Sequence, residues 1–247
     1  MTADAQERLR SVHHRIARAC VRAGRTPEEV QLVGVCKRQP IERIVQSIRA
    51  GLGQLGENYV QALQERRPLI EAQLEPELAA QLRWRMVGGL QRNKARAAIS
   101  VVDSVDSVDR ASLAEELDKR AAAVSRVIDV CLQVNLSREP RKGGVDVTGL
   151  PALLEACGTL SNLRVVGLMT IPAASDDPEA SRPSFARLRE LRDTLREAPG
   201  GGNLHELSMG MSGDFEVAVE EGATLVRVGT ALFGARDAAP GSTGRDT

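Results

Sequence analysis

The chain has 247 residues, in which 33 basic and 33 acidic side chains cancel; that balance excludes the electrostatic footprint of a nucleic-acid or anionic-membrane binder. A domain of this length buries roughly 70–75% of the surface its unfolded chain would expose, so it needs neither disulfides nor a structural metal. No stretch approaches the ~20 apolar residues of a membrane-crossing helix, and the charged start MTADAQERLR lacks the apolar centre of a leader, so a cytoplasmic protein is expected.

The first element is an amphipathic helix over residues 4–23, carrying His13 and His14 on its polar side. Eight short runs rich in Val, Ile and Leu then alternate with helical patterns: QLVGVCK (31–37), GQLGEN (53–58), RWRMVGG (83–89), ISVVDSV (99–105), VIDVCLQVN (127–135), LRVVGLMTI (163–171), HELSMGM (205–211) and TLVRVGTALFG (224–234). The second and seventh are weak strands taken alone. Between them, PIERIVQSIRA, RASLAEELDKRAAA and FARLRELRDTLRE place apolar residues at three- and four-residue spacing. Strand–helix alternation of this kind builds a parallel sheet, and eight units close it. The expected architecture is α/β, a single (β/α)8 TIM barrel over residues 1–236 with an extra N-terminal helix. The small, polar segment DAAPGSTGRDT (237–247) is expected to be disordered. The alternative, an open doubly wound sheet, would usually bring a GxGxxG turn after the first strand, where VCKRQP stands.

The cysteines, Cys20, Cys36, Cys131 and Cys157, form no CxxC, and His205 is isolated. They read as buried free thiols and an ordinary histidine, with no metal set.

Strands of a parallel barrel are covered on both faces, so a charge within an apolar run belongs inside the barrel or at its carboxyl rim. Of four lysines, Lys119 lies on a charged helix face, Lys94 and Lys142 lie in loop or helix-start settings, and Lys37 closes the first strand. Lys37 shares the two-residue phase of Val33 and Val35 and points inward if they do. A partly buried ammonium loses hydration and becomes an amine able to form an imine with an aldehyde; the alternative is a lysine that snorkels at the rim. After the seventh run, Ser212 reads as a helix N-cap with Asp214 and Glu216 in the first turn. After the eighth, Gly229 and Thr230 form a second hydroxyl corner, and phosphate sites of such barrels often use these two loops; ordinary capping is the alternative. Arg227, inside TLVRVGT, is expected to point into the barrel toward an anion, a ring acceptor or a structural salt bridge.

The motifs VGVCKRQP, LGENYVQA, WRMVGGLQRNK, SVDS, QVNLSREPRKGG, VVGLMTIP and LSMGMSGDFEVAVEEGATLVRVGTALFGAR, in this order over about residues 8–236, resemble the pyridoxal phosphate homeostasis protein family. The resemblance implies a barrel like the N-terminal domain of alanine racemase, with pyridoxal 5'-phosphate (PLP) joined to Lys37 as a Schiff base. It implies that Ser208, Gly229 and Thr230 bind the phosphate, that Arg227 faces the pyridine nitrogen, and that Asn58, Met169 and Met209 line the ring pocket. It further implies a non-catalytic role in vitamin B6 supply, with apo PLP-dependent enzymes as recipients; the expected single domain points to a monomer. Two departures stand out. Cys36-Lys37-Arg38-Gln39-Pro40 replaces the family's SKTKP, and Trp84-Arg85-Met86-Val87-Gly88 replaces WHFIG, so any proton exchange by that histidine near the cofactor is in doubt. Lys94 and Lys142 match family lysines that could receive PLP in transit.

An arginine beside the pyridine nitrogen disfavours its protonation and weakens the ring as an electron sink. Racemases of this fold add a tyrosine from a further C-terminal domain, whereas the one tyrosine here is Tyr59 and the chain ends shortly after the eighth unit. The expectation is a PLP-binding homeostasis protein; a PLP-dependent racemase-like enzyme and a Schiff-base aldolase on a phosphate-binding barrel are the alternatives.

Overall fold

The computed structural model describes residues 2–137, 139 and 143–235; the expected disordered tail and Lys142 lie outside them. In chain order, helix α1 (Thr2–Arg22) precedes β1 (Gln31–Val35), α2 (Ile41–Arg49), β2 (Gln54–Glu57), α3 (Val60–Glu71), α4 (Pro76–Gln81) and β3 (Arg83–Met86). There follow α5 (Ala95–Ile99), β4 (Ser104–Val108), α6 (Ala111–Ala122), β5 (Ile128–Gln133), α7 (Leu150–Gly158) and β6 (Leu163–Met169). The chain continues through α8 (Arg182–Arg196), β7 (Glu206–Ser208), α9 (Phe215–Glu220), β8 (Leu225–Val228) and α10 (Thr230–Phe233). The eight strands pair in sequence order as a closed barrel, with β8 parallel to β1.

Side-chain phase follows from the two-residue strand period. On β1, Leu32 and Cys36 join the large cluster between strands and helices. Gly34 faces the same way, because a Cβ there would lie 2.6 Å from Leu52 and 2.9 Å from Phe233. Val33, Val35 and Lys37 therefore turn inward. A second, small apolar cluster of Cys131, Val166 and Met169 lies apart from the first, inside the barrel. All four cysteines are free and buried.

The last unit differs from the rest. Helix α10 is a single turn of four residues, too short to cover the seam between β8 and β1. Helix α1 supplies the missing layer by packing on α2, α9 and α10. Its Leu9, Val12, Ile16, Ala19 and Cys20, spaced three or four apart, are buried. Arg15 and Arg22 pair with Glu216 and Glu220 of α9 at 2.7 and 2.6 Å.

The fourth strand is displaced from its expected position. Residues 99–105 read as the strand, yet Ile99 ends α5 and the strand begins at Ser104. The run VDSVDSV (102–108) repeats every three residues, so a slip by three preserves its apolar pattern. Tertiary contacts break the tie: the Asp103 carboxylate accepts the Trp84 N–H at 2.8 Å outside the strand, and Asp106 enters the barrel. The eighth run also ends early, its ALF portion forming α10.

Truncating Phe185, a fully buried α8 side chain, should leave a cavity between α8 and the sheet. Phe185→Ala is expected to cost about 3–5 kcal/mol, read as a lower urea midpoint with an unchanged slope.

Candidate functional site

A cavity of about 310 Å³ opens at the carboxyl ends of the strands, with Lys37, Asn58, Arg227, Gly229 and Thr230 on its wall beside Val35, Val87, Ile171, Met211, Ser212 and Gly213. Five of the eight residues expected from sequence thus converge on one space. Met169, Ser208 and Met209 stand behind it. Met169 packs under Ile171 within the barrel, Met209 belongs to the outer core, and Ser208 is buried below the floor. The cause is local. Strand β7 stops at Ser208, and Gly210 adopts a φ of +90° that favours glycine. Beyond that turn, Met211 and Ser212 reach the cavity wall.

Lys37 sits in a tight turn closed by the Gln39 N–H, which donates to the Cys36 carbonyl at 2.9 Å. Arg38 within it has a φ of 56°, the left-handed region, a conformation costing about 1–3 kcal/mol that surrounding contacts must hold in place. Arg66 of α3 does so. Its guanidinium donates to the Cys36 carbonyl at 2.9 Å and to the Gln39 carbonyl, bracketing the turn on both sides. Glu57 stands 3.4 Å from the same guanidinium and accepts the Asn58 N–H at 2.7 Å where α3 begins. Burial pushes the Glu57 carboxyl above its usual range, while the Asn58 and Tyr59 N–H groups, Arg66 and Lys37 pull it down. Burial likewise drives the Cys36 thiol upward. The Lys37 ammonium lies 5.6 Å from the Tyr59 ring, which is half exposed at the mouth. Glu57 and Arg66 escaped the sequence reading, although a buried-type charge in the weak second strand was their signal.

Opposite Lys37, the hydroxyl oxygen of Ser212 accepts the N–H groups of Gly229 at 3.1 Å and Ala231 at 3.4 Å. Two backbone donors therefore point at one oxygen position. This replaces the expected cap: Asp214, not Ser212, occupies the α9 N-cap, and its carboxylate accepts the Met211 N–H at 2.7 Å.

Arg227 forms the floor, donating to Ser208 Oγ at 2.8 Å and to the Thr170 carbonyl at 2.9 Å. Burial lowers its pKa and the Asp106 charge opposes that shift. Arg85 lies deeper in the barrel, 3.0 Å from Asp106 and 2.5 Å from Glu206. Lys94 is elsewhere, in a cavity of about 280 Å³ with Tyr59, Gln61 and Gln91, across Asn58 from Lys37.

In chemical terms the cavity offers an amine at its rim, a permanent cation at its floor and paired N–H donors at one end. An aldehyde that also carries an acceptor ring and an anion matches that set.

The model of the alanine racemase N-terminal domain matches residues 8–237. A pyridoxal phosphate homeostasis protein of Aquifex aeolicus is 45% identical over 234 residues, covering 94% of this chain and 99% of that protein. The structure of PipY from Synechococcus elongatus with PLP bound is similar at 36% identity and a TM-score of 0.80, covering 93% of this chain and 100% of that one. Alanine racemase of Corynebacterium glutamicum, at 17% identity and a TM-score of 0.66, shares the fold over 96% of this chain and 64% of its own. The chain belongs to the pyridoxal phosphate homeostasis protein family, on the alanine racemase N-terminal barrel.

If Arg66 holds the Lys37 turn, Arg66→Ala should open it. Charge-assisted hydrogen bonds are worth ~1.5–3 kcal/mol each, so Cys36 should be alkylated at least about tenfold faster in the variant without cofactor, followed by peptide mass spectrometry. An unchanged Cys36 rate would count against the clamp.

Proposed function

We propose that this chain binds PLP through Lys37 and serves the supply of that cofactor without turning over a substrate. The observation that carries this reading is the meeting of Lys37, Arg227 and the Gly229–Thr230 corner on one cavity. Its volume, about 310 Å³, lies at the small end of ligand pockets, which suits a single ring with a phosphate. The two N–H groups now sharing the Ser212 hydroxyl are donors that a phosphate oxygen can use. When bound, the cofactor supplies an aldehyde to be captured by an amine.

Each residue then has a task. Lys37 would hold the cofactor through its neutral side-chain amine, whose two N–H hydrogens would leave with the aldehyde oxygen as water. Arg66 and the turn it brackets fix where that amine stands. Gly229, Thr230 and Ser212 hold the phosphate, and Asn58, Val87, Ile171 and Met211 exclude water from the ring faces. Ser208, Met169 and Met209 support this wall from behind. Arg227 would offer a ring nitrogen only N–H donors, which would favour an unprotonated nitrogen and a poor electron sink. That supports storage over α-carbon chemistry, as does the near full-length similarity to proteins named for homeostasis. Four unpaired thiols suit the reducing cytoplasm, where apo PLP-dependent enzymes are the recipients.

Mixed with PLP, the protein should develop a visible imine absorbance. Borohydride should fix the mass of reduced PLP on the Lys37 peptide, and Lys37→Ala should lose both signals. An unmodified Lys37 in a reduced, PLP-treated sample would refute the linkage. In deuterium oxide, exchange at the α-carbon of alanine should stay far below roughly one per second, an ordinary enzymatic rate; turnover at that rate would establish the racemase-like alternative.

A further inference from the structure

Parallel barrels usually fill their interior with layers of branched aliphatic side chains. Below the cavity this one holds a file of polar groups. Asp106 of β4, fully buried, accepts from Arg85 Nε of β3 at 3.1 Å and from the Ser208 hydroxyl of β7 at 3.1 Å. Ser208 Oγ accepts from Arg227 Nη1 of β8 at 2.8 Å. Arg85 Nη2 reaches Glu206, at the start of β7, at 2.5 Å.

The direction of every bond in this file is fixed by chemistry. Guanidinium groups only donate and an ionised carboxylate only accepts, so the single hydroxyl proton of Ser208 must go to Asp106, leaving its oxygen for Arg227. The file runs Arg227 to Ser208 to Asp106, with Arg85 donating from the far side and joining Glu206. Two cations face two anions. Replacing such a buried set by apolar residues is often neutral or stabilising, so stability alone does not account for it. Its upper end is the one guanidinium on the cavity wall among the described residues.

Resting on the PLP reading above, we infer that Asp106 and Ser208 are positioning residues for Arg227. They pin its guanidinium at the cavity floor as a fixed donor to an aromatic ring nitrogen, and Arg85 with Glu206 balances the charge from the other end of the barrel. Ser208 is then a link beneath the floor and not a phosphate ligand.

The test uses the full chain and pyridoxine 5'-phosphate, which keeps the ring and phosphate but has no aldehyde, so its binding is independent of a Lys37 imine. Asp106→Asn and Ser208→Ala should each weaken its binding about tenfold, the effect of one charge-assisted hydrogen bond. Each should also move the nitrogen-15 resonance of the labelled ring nitrogen, which a generally loosened barrel would not single out. In an Arg227→Gln background neither substitution should add a further loss, because both act through that side chain. A resonance and affinity unchanged in folded Ser208→Ala, or losses that add fully to that of Arg227→Gln, would overturn the inference. Should Asp106→Asn fail to fold, Ser208→Ala decides alone, since it leaves the Arg85–Asp106 pair in place. Wild-type protein that bound neither PLP nor pyridoxine 5'-phosphate would remove the cofactor reading itself, whereas wild-type binding with inert variants removes only the relay.

Discussion

The constraint on which the rest depends is that a strand in a closed parallel barrel has no wet face. Helices cover one side and the barrel interior the other, so each charged side chain within a strand needs a partner inside or an opening at the end. Arg85, Asp106 and Arg227 meet this by pairing across the interior. Lys37 meets it at the carboxyl end, where β1 runs out and the chain turns. The cavity and the ion file beneath it are two outcomes of one rule.

Closure itself imposes the next requirement. A barrel must seal its first strand to its last, and the helix after β8 is only one turn. The N-terminal helix covers that seam, held by its apolar stripe and by two arginine–glutamate pairs to α9. Gly34 leaves room there for Leu52 and Phe233 to approach the β1 backbone. The same seam carries Lys37 on one strand and Gly229 beyond the other, so the element that completes the outer layer also fixes the amine against the anion corner.

The sequence was most informative where a single physical demand acted. Strand–helix alternation led to the barrel; the two-residue period tied Lys37 to Val33 and Val35, and the barrel then turned all three inward. It was least informative where demands competed. The three-residue repeat of VDSVDSV let the fourth strand slip, because its local pattern is the same in both registers and tertiary contacts of Asp103 and Asp106 chose between them. Ser208 and Met209 were assigned to the ligand by resemblance alone; the bend at Gly210 after β7 puts Met211 and Ser212 on the cavity wall, a feature no local pattern announced. Asp106 and Glu206 were legible by the argument that singled out Arg227, a charge inside an apolar run. Recognising that they belonged together required the barrel, since the β3–β4 pair meets the β7–β8 pair only through its interior.

The arginine at position 85 takes on a definite meaning in this setting. The family pattern has a histidine there, whose charge comes and goes near neutral pH. A guanidinium keeps its proton throughout that range, and here, although burial opposes the charge, Asp106 and Glu206 push its pKa further up. Arg85 thus keeps a cation 3.0 Å from the Asp106 carboxylate throughout that range. An anion at Asp106 fixes the hydroxyl of Ser208, and a fixed hydroxyl leaves Arg227 one position. A permanent charge at the bottom of the barrel thus gives Asp106 a constant partner near neutral pH, where an imidazole would give it a conditional one.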